Sequence, residues 1–202
     1  MTGDGSITLY NKQYEENYHS TSGALEEAFK KFVEPCKVKD GMSILDICFG
    51  LGYNVLAAMT AAKNLKIISL EKDKTVMREM QGLEVPEKLK GKYEIVKKAA
   101  KALVYKDENY EINIILGDAT QTIKTLHKRF DAVFLDPFSP PKNPELWTEE
   151  FFKDIKKVMN PGAILATYSC AGVVRRNLKS AGFEVKDGPI VGRRSPGTVA
   201  YI

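Results

Sequence analysis

The sequence predicts an α/β fold built on a mostly parallel, seven-stranded sheet, and three observations carry that prediction. Short apolar runs alternate with amphipathic segments from residue 43 onward. A glycine-bearing loop, Cys48-Phe49-Gly50-Leu51-Gly52, joins the first such run to the first helical segment. The last two runs are separated by a Gly/Arg-rich turn, which closes the sheet with a hairpin and one antiparallel strand at or near its edge. Apolar strands alternating with helices form parallel sheets covered on both faces.

The elements follow in order. Residues 1–22 are polar and rich in tyrosine, and a helix runs from about residue 22 to Val33, ended by Pro35 and Asp40-Gly41. Strands are expected at Ser43–Cys48, Lys66–Leu70, Glu111–Leu116, Asp131–Leu135, Ala163–Tyr168, Phe183–Lys186 and Thr198–Ile202. Helices are expected at Leu51–Ala62, Lys72–Met80, Tyr93–Val104, Thr120–Lys128, Trp147–Met159 and Ala171–Ala181, with Pro86 to Lys92 as a connector. Residues 1–40 form an N-terminal extension, and 41–202 a single doubly wound unit.

Composition narrows the class. The 202 residues suit one domain with an ordinary core, at 44% hydrophobic and 28% charged. The start, MTGDGS, has neither a basic nor an apolar region of a secretory signal. The uncharged stretch from Ile47 to Ala62 is too short and too interrupted by glycine to cross a membrane. Three cysteines, Cys36, Cys48 and Cys170, show no metal-ligand spacing, so no metal is expected and the cytoplasm is the expected compartment. The net charge of +4 is uneven: residues 152–202 hold nine Lys/Arg against three Asp/Glu. Arg175, Arg176, Arg193 and Arg194 make that end a candidate surface for phosphates, although a solvated basic face has the same composition.

Ligands of such sheets sit at the carboxyl ends of the strands, near the switch in strand order. Three loops there carry suitable groups. In the first, Asp46 precedes Gly50, Gly52 and Asn54. Its glycines permit close backbone approach to a ligand, but it lacks the third glycine of a dinucleotide loop. The Asp-x-x-x-Gly-x-Gly spacing suits a cofactor with an ammonium group and no phosphate. In the second, Glu71 ends the next strand and can accept from both hydroxyls of a ribose. In the third, Gly117-Asp118-Ala119 places an acceptor for an adenine amino group, or simply caps the following helix. Together the three loops favour S-adenosyl-L-methionine. The fourth strand end is Asp136-Pro137-Phe138-Ser139-Pro140-Pro141, a stiff loop presenting a carboxylate and an aromatic ring. An alkylammonium has no lone pair, and with a pKa of about 10.4 its deprotonation at pH 7 costs ~4–5 kcal/mol. A carboxylate such as Asp136 can hold the amine, orient it and accept its proton.

The motifs Tyr14-x-x-x-Tyr18-His19-Ser20, Gly23–Ala28 (GALEEA), Leu45–Asn54 (LDICFGLGYN), Ser69–Asp73 (SLEKD), Gly117–Ala119, Phe130–Phe152 (FDAVFLDPFSPPKNPELWTEEFF) and Leu165–Leu178 (LATYSCAGVVRRNL) span nearly the whole chain. This combination resembles the methyltransferase domain of the MnmC family, a class I, Rossmann-like fold that acts on tRNA. The resemblance implies methylation of the 5-aminomethyl group of (2-thio)uridine at the wobble position. It implies Asp136 as the catalytic acidic residue, and Gly50, Gly52, Glu71 and Asp118 at the cofactor. Tyr14, His19, Ser20 and Glu26 become residues closing over cofactor and substrate. Pro137, Phe138, Lys142, Asn143 and Trp147 fall in the substrate-side loop. The flavin-dependent oxidoreductase domain of the bifunctional members has no counterpart before Ile202, so no FAD is expected in this chain. Cys48 replaces a glycine frequent in such loops and is expected to be tolerated, not to act as a nucleophile. Alternative readings are an aminopropyltransferase of the spermidine synthase type, an amino-methyltransferase acting on DNA or protein, and a non-catalytic RNA-binding protein.

Overall fold

A computed structural model describes residues 2–19, 23–191 and 195–202. Its centre is an eight-stranded sheet of order β5-β6-β4-β3-β7-β8-β10-β9. These strands are β3 (Ser43–Ile47), β4 (Leu65–Glu71), β5 (Val104–Lys106), β6 (Tyr110–Leu116), β7 (Phe130–Leu135), β8 (Met159–Thr167), β9 (Glu184–Ile190) and β10 (Pro196–Tyr201). The pairs β3–β4, β4–β6, β3–β7 and β7–β8 are parallel. β10 runs antiparallel between β8 and β9, which is the expected terminal hairpin.

The sheet has eight strands and not the seven expected from sequence. The extra one, β5, pairs antiparallel with β6 at the opposite edge. Sequence placed Val104 at the end of a helix. That helix, α4, instead covers Lys90–Ala102 and stops where Leu103 turns left-handed at φ 64°. Reversing direction there lets Val104–Lys106 add to the edge, where a three-residue strand needs little apolar pattern of its own.

The other helices are α1 (Ala24–Ala28), continued by a π turn over Phe29–Val33, α2 (Tyr53–Ala61), α3 (Lys74–Glu79), α5 (Ala119–Thr122), α6 (Glu149–Lys157) and α7 (Gly172–Ser180). Capping sets several boundaries. Asp73, Asp118 and Thr148 each accept a backbone N–H of the following first turn, so α3, α5 and α6 start just after them. The helix expected at Thr120–Lys128 is only α5 and a 3₁₀ turn. The one expected from Trp147 is a 3₁₀ turn at Pro144–Trp147 followed by α6. Within the N-terminal extension, β1 (Tyr10–Asn11) and β2 (Glu16–Asn17) form a small ribbon.

Alternation along the strands divides the core into two layers. Ile44, Ala132 and Phe134 face the layer with Phe32, Leu56 and Met59. Leu45, Ile47, Val133 and Leu135 face the layer with Trp147, Phe152 and Leu178. Both faces of β3 and β7 are therefore dry, which fixes the register of these two central strands. The strand order reverses at β3 and β7, and the loops beyond their carboxyl ends open into one cavity. No helix among the described residues is long and apolar enough to cross a membrane.

Candidate active site

The cavity is about 680 Å³, within the usual range for small-molecule sites. Its walls come from the ends of β3, β4, β6, β7 and β8, from α1, and from the β1–β2 ribbon.

The loop after β3 is shaped by backbone geometry. Cys48, Gly50 and Gly52 have φ of 73°, 54° and 75°, all in the left-handed region. Gly50 lines the cavity, and its N–H donates to Glu71 Oε2 at 2.8 Å. Gly52 does not line it. A Cβ there would lie 2.6 Å from Val96 Cγ1 and 2.9 Å from Phe49 Cζ, so Gly52 lets α2 and α4 pack closely. Cys48 tolerates its position at the cost of a left-handed non-glycine residue, on the order of 1 kcal/mol. Burial among carboxylates raises its thiol, which makes it a poor nucleophile.

Glu71 is the hub of the next loop. Besides Gly50, its Oε1 accepts the N–H groups of Lys72 and Asp73, each at 2.8 Å. Burial raises its pKa, and the three N–H bonds oppose that rise. Asp118 lines the cavity beyond β6, and it is also a helix cap: Oδ1 accepts from Thr120 N and Oγ1. Those bonds, Thr120 Oγ1 foremost, lower its pKa. Gly117 and Ala119 complete this wall. The acceptors Glu71 and Asp118 on two strand ends, the glycine loop on a third and the cavity size fit an adenosine cofactor.

Asp136 stands at the end of β7. Its N–H bonds to Ile47 O, and its Oδ2 accepts Asn54 Nδ2 at 2.9 Å. Burial pushes its carboxyl up to about 7, and the Asn54 bond partly counters this. Asn54 thus supports Asp136 from the first turn of α2, in addition to lining the cavity. Pro137 and Phe138 follow. Phe138 stacks on Tyr14 with ring centroids 4.5 Å apart and contacts Tyr18 at 5.1 Å. Glu16 accepts from Ser139 N and Oγ, and Lys142 pairs with Glu15 at 2.8 Å. The ribbon is therefore latched to the Pro-rich loop across the cavity mouth.

Several expected residues stand elsewhere. Asp46 is fully buried beneath the glycine loop and outside the cavity wall, bonded to Ser69 Oγ at 2.8 Å. Burial drives it up to about 7. Glu26 is exposed on α1, and its neighbour Glu27 faces the cavity instead. The helix phase, one residue off, decided between them. Trp147 is buried, donates from Nε1 to Phe138 O at 3.0 Å and packs edge-on against Tyr168. It supports the loop from behind. Lys142 is bound to the ribbon outside the wall, while Asn143 lines it. Arg175 is not a free cation: it bonds Thr198 Oγ1, Gly197 O and Asp187, clamping β10 and β9. Arg176 is exposed. Ser20, Arg193 and Arg194 lie outside the described residues. His19 lines the cavity with its ring edge-on to Tyr53, and burial lowers it to about 4, so it is neutral at pH 7. Sequence reasoning left out Glu27, Tyr18 and Tyr168. The tyrosine-rich start was visible, but nothing local tells which rings turn inward. Among the described residues no group of three metal-ligating side chains occurs.

Comparison with known proteins places this geometry. A family model described as S-adenosyl-L-methionine-dependent methyltransferase matches residues 81–202. The crystal structure of MNMC2 from Aquifex aeolicus superposes with a TM-score of 0.89 at 36% identity, covering 99% of this chain and 68% of that one. An uncharacterized protein of Methanocaldococcus jannaschii is 36% identical over 99% of this chain. The tRNA 5-methylaminomethyl-2-thiouridine biosynthesis bifunctional protein MnmC of Ralstonia nicotianae is 33% identical over 96% of it. The chain spans 58% of the Methanocaldococcus protein and 33% of the Ralstonia one.

Proposed function

The chain belongs to the S-adenosyl-L-methionine-dependent methyltransferase family, and from that premise we propose that it methylates the primary amine of 5-aminomethyl-uridine, with or without 2-thiolation, at the wobble position of tRNA. The product is 5-methylaminomethyl-uridine. One observation carries the choice of an amine: Asp136, fixed by Asn54 at the strand end, with its carboxyl raised to about 7. Similarity to the MnmC proteins over nearly the full chain supports the nucleoside.

When bound, the cofactor supplies a methyl group on a sulfonium, which only a neutral nitrogen can attack. Asp136 prepares that nitrogen. A proton passed from an amine of pKa about 10.4 to an ordinary aspartate of about 3.9 climbs ~9 kcal/mol; passed to a carboxyl near 7 it climbs ~4–5 kcal/mol. The incoming ammonium draws the carboxyl down again, so the difference of ~4 kcal/mol is a ceiling. Asn54 fixes the carboxylate's direction, and the Tyr14–Phe138 stack narrows the mouth.

Gly50, Asn54, Glu71, Gly117, Asp118, Ala119 and Tyr14 form the cofactor side of this proposal. Pro137, Phe138, Asn143 and His19 form the substrate side, and residues 1–40 are the element that closes over both. Arg176 belongs to the tRNA-docking surface. The cytoplasm, expected from cysteine usage, is part of the same proposal.

The test is incubation with labelled S-adenosyl-L-methionine and tRNA lacking the modification, followed by nucleoside analysis. Label in 5-methylaminomethyl-uridine is expected, and Asp136→Ala is expected to lose it while still binding cofactor. Label at another base, or full activity of Asp136→Ala, refutes the assignment.

A further inference from the structure

The same cavity carries an ion pair that the proposed reaction does not yet use. Lys31 Nζ donates to Glu27 Oε1 at 2.6 Å, one helical turn apart, with side chains only 2% and 11% exposed. Glu27 lies on α1 and lines the cavity with Asp136. Lys31 lies in the π turn that continues the helix, and π turns recur at functional sites. Burying such a pair in place of apolar side chains gains little stability or costs some, so stability alone does not explain it.

The charges around Asp136 give the pair a role. Asn54 meets it from α2, Asp46 from β3, and Glu27 and Lys31 from α1 and its turn. Cys48, Glu71 and Glu145 line the same space, and Glu27 also acts on His19. Glu27 favours the protonated form of Asp136, and Lys31 favours the ionised form. Resting on the function proposed above, we propose that Glu27 is a second substrate-facing carboxylate, which holds the amine between itself and Asp136, and that Lys31 is the fixed counter-charge that offsets Glu27 and favours ionisation of Asp136. Two carboxylates and one lysine leave a single net negative charge, matched to one incoming ammonium. Without Lys31, two carboxylates sharing a buried site would retain a proton, and the amine would lose its acceptor. Lys31 is thus a positioning residue acting through Glu27 and Asp136.

The experiment pairs ¹³C NMR titration of the Asp136 carboxyl in the free protein with pH–rate profiles for methyl transfer to tRNA carrying aminomethyl-uridine. The variants are Lys31→Met, Lys31→Arg, Glu27→Gln and the double Glu27→Gln/Lys31→Met. Lys31→Met is expected to raise the Asp136 midpoint by about one pH unit. The acid limb of kcat/KM moves with it, so activity at pH 6 falls about tenfold and recovers by pH 9. Lys31→Arg restores the original profile. Glu27→Gln lowers the midpoint and raises KM for the RNA about tenfold, with cofactor affinity unchanged. The double variant removes both charges of the pair together, so it reports even where Lys31→Met does not fold. Its midpoint stays near that of the original protein, and its KM is high. A midpoint that moves in none of the variants, or a loss of activity equal at every pH and not restored by Lys31→Arg, overturns the proposal. The titration needs no substrate. If the unaltered protein fails to methylate this RNA, the proposed function falls while the effect of Glu27 and Lys31 on Asp136 is decided separately.

Discussion

Replacing Asp136 by Asn should stabilise the protein near neutral pH while abolishing methyl transfer. Burial raises this carboxyl from 3.8 to about 7. The folded state then binds more protons than the unfolded chain throughout the window from about 4 to about 7. Stability from this group is therefore fully present below about pH 4 and is lost as pH rises through 7. A rise of roughly 3 pH units corresponds to a ceiling of about 4 kcal/mol at pH 8. Asp136 lines a cavity that admits water, and Asp46 shares its environment, so about 2 kcal/mol is the expected gain. For a chain of this size that is a rise in Tm of about 4–8 °C. The Asn side chain keeps an oxygen to accept Asn54 Nδ2, so the bond at 2.9 Å survives. Urea unfolding of both proteins at pH 4, 6 and 8 reads the effect. The difference should be near zero at pH 4 and largest at pH 8. A variant less stable at pH 8, or a difference independent of pH, refutes the claim that burial holds this carboxyl up.

Four further outcomes test the placement of side chains. Gly52→Ala should destabilise by about 2 kcal/mol, because the new Cβ meets Val96 and Phe49 in a left-handed backbone, and thermal unfolding checks it. Arg175→Ala should cost about 1–3 kcal/mol of stability through the lost β9–β10 clamp and leave the salt dependence of tRNA binding unchanged. Arg176→Glu should do the reverse, weakening tRNA binding and lowering its salt slope by about 1 without loss of stability. Trp147→Phe removes the indole bond to Phe138 O and should cost about 1–2 kcal/mol, with a higher KM for the RNA as the Phe138–Tyr14 stack loosens.

The sequence by itself determined the parts governed by local rules. Short apolar runs between helical segments located β3, β4, β6, β7 and β8, and the chemistry of strand ends picked out Gly50, Glu71, Asp118 and Asp136. Each of these depends on its own loop and on a register fixed by burial. The tertiary structure decided what depends on distant neighbours. β5 exists because the edge of β6 offered a partner, although Val104–Lys106 carries no strand pattern of its own. Glu27, not Glu26, faces the cavity because α1 packs against α2 in one rotational phase. Arg175 clamps β10 and β9, because β10 folds back beneath it. Asp46 ends below the floor of the site and Trp147 behind its wall, although both stand in motifs that point to it. Residue type and spacing specify what a side chain can do. Which side of a wall it reaches is set by packing over long separations in sequence, and there the buried Glu27–Lys31 pair was placed.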